Sequence, residues 1–352
     1  MSRPLRWGFL STANICRQNW RALHASGTNV VTALASRDQA RAQRFVDENQ
    51  LTTPMPRVPV AFGSYEELLA SPEVDAVYIP LPTGLRAEWI VQAAEAGKHV
   101  LGEKPAACSA PELENVLNAC RRNGVQFMDG VMFMHHPRLA HLRALFDGTP
   151  SPLGELRRVQ SMFSFAGAPD FTATNIRAQT TLEPHGCLGD LGWYCLRLSL
   201  WAMRWRLPAS VTGLIHSSHG ATAESPGVPL EFSGELHYPD GASGGFHCSF
   251  RCPNQQWAQF SGTAGWLRLE DFVHPREHRD SHYLLNGAAV CVAGEPIAEP
   301  ALAPDAAMFR NFTAAVASGK LNEDWPKWSL LTQQVMDACY RSALNGGEPV
   351  AI

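Results

Sequence analysis

Two side chains that could hold or move a proton, Asp190 and Tyr194, stand four residues apart in the segment GDLGWY at 189–194. On a helix this spacing places both on one face, about one turn apart. A lone tyrosine is a poor base near neutrality, so proton transfer by Tyr194 would need a nearby cation to stabilise the phenolate. Periodicity alone favours an aromatic side chain packed in a core. The apolar neighbours behind that alternative are Trp193, Leu196, Leu198 and Trp201.

The turn after the first apolar run, LRWGFL at 5–10, has small residues where a dinucleotide-binding turn has glycines. Its sequence is Ser11-Thr12-Ala13-Asn14-Ile15-Cys16. The glycines of such a turn allow a tight bend, close approach of backbone to phosphate, and helix–strand packing. Serine, alanine and cysteine are the next smallest residues for these tasks. The turn therefore predicts cofactor contacts from residues 11–15, with an ordinary strand-to-helix turn as the alternative.

The second predicted strand ends at Ser36-Arg37, where an NAD enzyme usually has an acidic residue that binds the ribose 2′-hydroxyl. A guanidinium and a hydroxyl suit a 2′-phosphate instead, so this pair predicts NADP, with NAD as the alternative. Asp38 follows directly, and a solvated arginine at the start of a helix is the other interpretation of Arg37.

Histidines and cysteines elsewhere do not form a recognisable metal motif. His274, His278 and His282 are spaced by four, but Pro275 and the run REHRD favour an exposed loop. Cys248 and Cys252 have no companion histidine at ligand spacing and are interpreted as buried thiols. We expect no metal site. Hydrolase and kinase motifs are also absent from the sequence.

Composition and charge indicate a globular protein that binds small molecules. The chain has 352 residues, enough for two domains, and a formal charge of -4 that gives no sign of nucleic-acid binding. Its nine cysteines include no CxxC pair, which favours free thiols in a reducing compartment. Without an apolar run of about 18 residues or a signal-peptide core, we expect a cytoplasmic protein with no membrane span.

Strands and helices alternate through the first 130 residues, and this order predicts a parallel, doubly wound Rossmann sheet. After about residue 135 longer strand-like segments follow. One of them, LEFSGELHYPDGASGGFHCSF, predicts a hairpin that turns at Asp240-Gly241. The second half therefore predicts an α+β domain with a large, mostly antiparallel open sheet. We predict domains at 1–130 and 131–352, C-terminal helices that pack back on the first domain, and a homo-oligomer through the uncovered face of the sheet.

The segment 76–107, AVYIPLPTGLRAEWIVQAAEAGKHVLGEKPAA, resembles the glucose-fructose oxidoreductase/inositol dehydrogenase (Gfo/Idh/MocA) family. A strand that ends near Pro-Thr, an EAGKHV helix exit and the triplet Glu103-Lys104-Pro105 recur there at this spacing. DGVMFMHHP at 129–137 and GDLGWY at 189–194 extend the resemblance over nearly the whole chain. The dihydrodiol and sugar dehydrogenase branch is the most similar.

The resemblance implies that Lys104 reaches the nicotinamide ribose and the reacting hydroxyl of the substrate. Glu103 and Pro105 would shape that approach, and Leu81, Pro82 and Thr83 would line the cofactor. Many members have histidine where Arg86 stands, which leaves the role of position 86 open.

The resulting hypothesis is an NADP(H)-dependent oxidoreductase acting on a secondary alcohol or carbonyl of a sugar, polyol or cyclic diol. Tyr194 would be the general acid/base, Lys104 would stabilise its phenolate and polarise the substrate oxygen, and Asp190 would orient Lys104 or a second hydroxyl. The segment before Asp190 supplies the candidate substrate-binding residues, Asn175, Arg177 and His185. Two alternatives remain: a non-catalytic NAD(P)-binding sensor of the same fold, and an oxidoreductase that never releases its nucleotide.

Overall fold

The chain folds into two compact units, seen in a computed structural model that describes residues 3–222, 224–275, 280–293 and 303–352. The first unit comprises Met1–Ala107, Pro111–His136 and the described part of Pro296–Lys327. The second comprises Cys108–Ala110, Pro137–Glu295 and Trp328–Ile352, again where described. Of the predicted loop histidines, His278 lies outside the described residues.

The first unit is built on a six-stranded parallel sheet, as the alternation of strands and helices predicts. Its strands are β1 (Leu5–Leu10), β2 (Asn29–Ala35), β3 (Val60–Phe62), β4 (Ala76–Ile79), β5 (His99–Gly102) and β6 (Phe127–Asp129). Their order is β3-β2-β1-β4-β5-β6, and every neighbouring pair is parallel. The strand order reverses between β1 and β4, which is where ligands bind in doubly wound folds. The predicted Rossmann topology is confirmed.

Helices connect these strands. They are α1 (Asn14–Ala25), α2 (Gln39–Thr52), α3 (Tyr65–Ala70), α4 (Thr83–Glu95) and α5 (Ala110–Arg122), with a 3₁₀ turn at Met132–His135 after β6. Side chains cap two of them. Asp38 accepts hydrogen bonds from the backbone N–H groups of Ala40 and Arg41, and Ser64 accepts one from that of Glu67. Each cap satisfies amides that have no partner inside their helix.

The second unit is built on a nine-stranded sheet. Its strands are β7 (Leu156–Ser164), β8 (Ser210–His219), β9 (Val228–His237), β10 (Ser243–Ser249), β11 (Gln255–Gly262), β12 (Trp266–Leu269), β13 (Asp280–Leu285), β14 (Ala288–Ala293) and β15 (Val350–Ala351). The order is β14-β13-β12-β11-β7-β10-β9-β8-β15, antiparallel except for the parallel pair β7 and β10. The predicted hairpin forms between β9 and β10, with Gly241 at a positive φ of 79° in its turn. A large, mostly antiparallel second sheet is confirmed.

The remaining helices are α6 (Pro137–Asp147), α7 (Phe171–Thr174), α8 (Trp193–Ala202), α9 (Ala303–Ala317) and α10 (Asp324–Leu344). A 3₁₀ turn at Ile176–Ala178 and a π-helical turn at Leu188–Gly192 precede α8. None of the described helices combines the length and hydropathy needed to cross a membrane.

Aromatic rings from α9 complete the core of the first unit. Trp7 of β1 is fully buried, and its ring lies 5.1 Å from that of Phe309 and 5.0 Å from that of Phe312, centroid to centroid. Aromatic pairs at this separation add to the stabilisation that burial of their area provides. The chain therefore returns from beyond residue 300 to cover the apolar surface at the first strand.

The two faces of the nine-stranded sheet differ. On one face the π-helical turn and α8 pack so closely that a Cβ at Gly192 would lie 2.9 Å from Leu188 and 3.2 Å from the Cys248 sulfur. On the other face the ion pair of Arg158 and Glu235 crosses Gly245, where a Cβ would lie 2.6 Å from the Glu235 carboxylate.

Candidate functional site

The turn between β1 and α1 has the geometry that its small residues predict. The Ser11 hydroxyl accepts a hydrogen bond from the backbone N–H of Ala13 (2.9 Å), and the Cys16 thiol, fully buried, donates to the Ser11 carbonyl (3.3 Å). Ala13 is the N-cap of α1 and provides no capping side chain, while Asn14 and Ile15 are exposed at the helix start. A helix start of this kind, at the switch point of the sheet, fits a pyrophosphate.

The end of β2 presents a cation rather than a carboxylate. Ser36 is buried and donates its backbone N–H to Phe62 of β3 (3.2 Å), whereas Arg37 is exposed. The adjacent Asp38 accepts hydrogen bonds from the first turn of α2, as described above. Because that carboxylate caps the helix, the polar groups left at this strand end suit a 2′-phosphate better than a 2′-hydroxyl.

Arg86 ties together the two loops that the sequence assigns to the cofactor. Its buried guanidinium donates hydrogen bonds to the carbonyls of Leu81 and Pro105 and to the Thr83 hydroxyl (3.2 Å). Leu81 and Thr83 are buried, and Pro82 between them is the half-buried N-cap of α4. The open question about position 86 therefore has a structural answer: Arg86 joins the β4–α4 loop to the Glu-Lys-Pro turn after β5.

Glu103 faces the interior of the first unit. Its carboxylate accepts hydrogen bonds from the Tyr78 hydroxyl (2.7 Å) and the backbone N–H of Lys104 (3.3 Å), and Asn19 of α1 donates to the same Tyr78 oxygen (2.6 Å). A Cβ at Gly130 would lie 3.0 Å from the carboxylate, so the chain after β6 packs closely against Glu103. These contacts hold the turn that carries Lys104; direct contact of Glu103 or Lys104 with the cofactor stays a prediction.

A buried carboxyl, Asp305 of α9, interacts electrostatically with the partly buried Glu103. It accepts a hydrogen bond from the Gln18 amide (3.3 Å). Burial raises the pKa of Asp305 to about 7, and the negative charge of Glu103 acts in the same direction. Nothing in the local sequence predicts this residue, because it reaches the cluster from a helix some 200 residues after Glu103.

In the second unit, Asp190 and Tyr194 stand beside Arg177. The Arg177 Nε donates to the Asp190 carboxylate at 2.6 Å, and the pair is partly buried. The Asp190 charge is the main cause of a raised pKa for Arg177, and Glu183 and Tyr194 add to it. Tyr194 thus lies within charge-interaction range of a guanidinium. The sequence placed Arg177 and Asp190 in separate roles, and their pairing is a finding of the structure.

Tyr194 lies in the first turn of the regular α-helix α8. Its segment starts with the π-helical turn Leu188–Gly192, in which Asp190 lies, and continues as α8 from Trp193. Such turns occur frequently at functional sites. The Tyr194 ring is mostly buried and packs edge-to-face on Phe163 of β7, with centroids 5.5 Å apart. Tyr194 is therefore a buried aromatic side chain, as the alternative interpretation of the sequence expects, and its ring contact is with a strand residue.

The other two predicted substrate residues have local structural roles. The Asn175 side chain accepts a hydrogen bond from the backbone N–H of Arg177 (3.0 Å) and so caps the 3₁₀ turn. His185 is buried, its ring 5.0 Å from that of Tyr340, and burial lowers its pKa to about 4. Its Nδ1 has no hydrogen-bond partner among the described residues. Substrate contact by either residue stays a prediction.

The two cysteines interpreted as buried thiols behave differently. Cys248 is fully buried beside Cys187, with the sulfur atoms 3.9 Å apart, as expected. Cys252 is only half-buried and lies beside His247 and Glu231, so the interpretation was wrong for this residue. The error arose because His247 precedes Cys252 by five residues, and only the turn after β10 brings them together.

Comparison with known proteins decides the family. A family model described as an oxidoreductase family with an NAD-binding Rossmann fold matches residues 5–131, and a GFO/IDH/MocA C-terminal domain matches residues 150–268. The chain is 33% identical over 347 residues to D-xylose 1-dehydrogenase (NADP(+)) 2 of Haloferax volcanii, covering 97% of this chain and 98% of that one. The chain belongs to the Gfo/Idh/MocA family of oxidoreductases. The suspected resemblance is therefore confirmed, and with it the assignment as an oxidoreductase with an NAD-binding domain.

Two further similar proteins are an enzyme related in sequence and a crystal structure related in fold. Trans-1,2-dihydrobenzene-1,2-diol dehydrogenase of Mus musculus is 30% identical over 280 residues, or 78% of this chain and 77% of that one. A crystal structure of a 3-ketoreductase from Actinomadura kijaniata with NADP and TDP-benzene superposes with a TM-score of 0.80 at 27% identity, covering 97% of this chain and 98% of the other.

Proposed function

We propose that this Gfo/Idh/MocA member is an NADP(H)-dependent oxidoreductase that interconverts a secondary alcohol and a carbonyl on a sugar, polyol or cyclic diol. The substrate class follows the family members named above, which act on D-xylose, on a dihydrodiol or as a 3-ketoreductase. The observation that supports the proposal is the cluster of Arg177, Asp190 and Tyr194, in which the phenol interacts electrostatically with a guanidinium held by Asp190.

Tyr194 is the proton handler in this proposal. Alcohol oxidation releases a hydroxyl proton, and Tyr194 accepts it as the phenolate and returns it in the reverse direction. The guanidinium of Arg177 stabilises negative charge on the phenol oxygen, and Asp190 holds that guanidinium through the 2.6 Å hydrogen bond to its Nε. Asp190 is then a positioning residue.

Lys104 is the second catalytic group of the proposal. Its ammonium polarises the substrate oxygen and supports the phenolate of Tyr194, a role that comes from the family resemblance. The 3-ketoreductase structures include one variant with a tyrosine replaced by phenylalanine and one with a lysine replaced by alanine, both with NADP and TDP-benzene bound. These are the residue types that we assign here.

The residues of the first unit fit a bound NADP. The β1–α1 turn (11–15) would hold the pyrophosphate. Ser36 and Arg37 would bind the 2′-phosphate. Beyond the end of β4, the cofactor would be lined by Leu81, Pro82 and Thr83. When bound, the nicotinamide provides the hydride chemistry, and the protein contributes orientation and charge.

A direct assay tests the function. The purified chain is incubated with NADP⁺ or NAD⁺ and a panel of aldoses, polyols and cyclic diols, and absorbance of the reduced nicotinamide is followed. We expect turnover with at least one of these alcohols and a higher kcat/KM with NADP⁺. Saturable NADP⁺ binding without turnover on the panel or on the matching ketones would contradict the enzyme proposal and favour the sensor alternative.

A further inference from the structure

Three metal-ligating side chains meet at one corner of the nine-stranded sheet, outside the residues assigned to catalysis. They are Glu231 of β9, His247 of β10 and Cys252 in the connection from β10 to β11. One ligand atom from each lies within 4.8 Å of the other two. All three residues are half-buried, so a hydrated ion can reach them.

Strand register and one turn create this corner. In the antiparallel pair of β9 and β10, Glu231 lies opposite Ser249 and Ser233 lies opposite His247, which puts Glu231 and His247 on the same face. The chain then bends back, because the Ser249 hydroxyl accepts hydrogen bonds from the backbone N–H groups of Arg251 (2.9 Å) and Cys252 (3.1 Å). This bend brings the Cys252 sulfur to 3.8 Å from Glu231 Oε1.

We propose that Glu231, His247 and Cys252 form a zinc-binding site. Thiolate, imidazole and carboxylate are the side-chain ligands that Zn²⁺ takes in proteins, and the thiolate disfavours Mg²⁺ and Ca²⁺. With the thiol deprotonated, the three groups carry two negative charges, which the ion neutralises. Ligand atoms around tetrahedral zinc lie about 3.3–3.8 Å apart for bonds of about 2.0–2.3 Å, so the site closes on the ion through side-chain movement of about an ångström.

The surroundings provide a hydrogen bond that orients one of the three ligands. Ser249, fully buried, donates its hydroxyl to Glu231 Oε1 (3.2 Å), the kind of second contact that fixes a ligating carboxylate. The nearby His216 has its Nε2 2.7 Å from the Ser233 hydroxyl, so we assign the fourth position to water. Bound zinc would cross-link the β10–β11 connection to β9, so the proposed role of the ion is structural.

Cobalt spectroscopy of the full-length protein tests the site directly. The protein is stripped with a chelator, kept reduced, and titrated with Co²⁺, whose bond to a thiolate gives a strong near-ultraviolet charge-transfer band. We expect the band to saturate at one Co²⁺ per chain and to disappear when Zn²⁺ is added. Cys252→Ser should abolish the band, and His247→Gln should weaken Co²⁺ binding by at least about tenfold. Cys291→Ser, at an exposed cysteine of β14, is the matched control and should leave the band unchanged.

A second measurement needs no variant. Zn²⁺ should slow alkylation of Cys252 by at least about tenfold, since a metal-bound thiolate is shielded from the reagent, and should leave Cys291 unaffected. Peptide mass spectrometry after timed alkylation gives both rates in one sample. Absence of a saturable cobalt band, a band that survives Cys252→Ser, or equal alkylation rates with and without Zn²⁺ would overturn the proposal.

Discussion

At the scale of single residues, the central feature is a phenol that interacts electrostatically with an arginine, which is itself held by an aspartate. Tyr194 lies in the first turn of α8 with its ring packed on Phe163, which restricts the movement of the ring. If the phenol loses its proton, the surrounding groups need to move little, because the positive charge of the guanidinium is already in position.

The first prediction concerns that phenol. Tyr194→Phe should lower kcat by about a hundredfold or more, the usual effect of losing a positioned acid/base, while the dissociation constant for NADP(H) stays nearly the same. Steady-state kinetics and a fluorescence titration with NADPH provide the two values. Tyr283→Phe, which removes a hydroxyl bonded to His141, is the control and should keep wild-type kcat. Full activity of Tyr194→Phe would remove Tyr194 from the mechanism.

The second prediction concerns cofactor choice. Arg37→Gln should raise the KM for NADP⁺ by about tenfold or more and change that for NAD⁺ little, because a charge-assisted contact to phosphate is worth about 1.5–3 kcal/mol. Arg44→Gln, at an exposed arginine of α2, is the control. Equal changes for the two cofactors would show that Arg37 does not read the 2′-phosphate.

Residue types and short spacings predicted which side chains could be functional better than they predicted which other residues those side chains contact. The small residues at 11, 13 and 16 form the tight turn that the sequence predicts. Asp38, the acidic residue after Arg37, is a helix cap. The Arg177–Asp190 pair and the Arg86 bridge could not be inferred, since both depend on loop conformations that no local pattern encodes. Cys252 was misjudged for the same reason.

At the scale of elements, the alternation of strands and helices was sufficient to predict the parallel sheet. The Asp240-Gly241 pair was sufficient to predict the hairpin. The π-helical turn was not predictable, because apolar spacing over 188–203 suits an α-helix equally well. The position of α9 could not be predicted from the sequence either, because its apolar residues would suit any core. Only the tertiary fold places Asp305 beside Gln18 and Phe309 beside Trp7.

The third prediction follows from the Asp305 carboxyl in α9. Its pKa is about 7 when folded and about 3.9 when unfolded, so its stabilising contribution is complete below pH 4 and is lost as the pH rises to 7, by up to roughly 1.4 kcal/mol per pH unit. Asp305→Asn cannot ionise. Its free energy of unfolding should therefore increase relative to wild type between pH 5 and pH 7 and level off above about pH 8.

Urea denaturation at a series of pH values measures this difference. Asp47→Asn, on the exposed face of α2, is the control and should show a constant difference from wild type. A pH-independent difference for Asp305→Asn would mean that the Asp305 carboxyl already ionises normally in the folded protein.

At the scale of the whole molecule, the first unit is assembled from distant stretches of chain. Trp7, Phe309 and Phe312 share one core although some 300 residues separate them. Family membership and length predicted two domains, but a cut near residue 130 would leave the apolar surface around Trp7 exposed.

The fourth prediction tests this dependence. Residues 3–136 expressed alone should have a lower thermal midpoint than the full chain, and adding a peptide of residues 303–327 should raise that midpoint in a concentration-dependent way. Differential scanning fluorimetry across a peptide titration measures it. The same peptide with Phe309→Ala and Phe312→Ala should have little effect. If the fragment's midpoint does not respond to the native peptide, α9 is dispensable for this unit.

The ion pair that crosses Gly245 has a consequence for the surface on which it lies. Glycine in a central strand costs about 0.5–1 kcal/mol relative to alanine, and a Cβ there would lie 2.6 Å from Glu235, 2.8 Å from Arg158 and 2.9 Å from Gln160, whose side-chain ends would have to move aside. The two opposite charges pair with each other across the strand and stay partly exposed to water. A surface that packs against this strand would therefore meet a neutralised ion pair instead of an isolated charge.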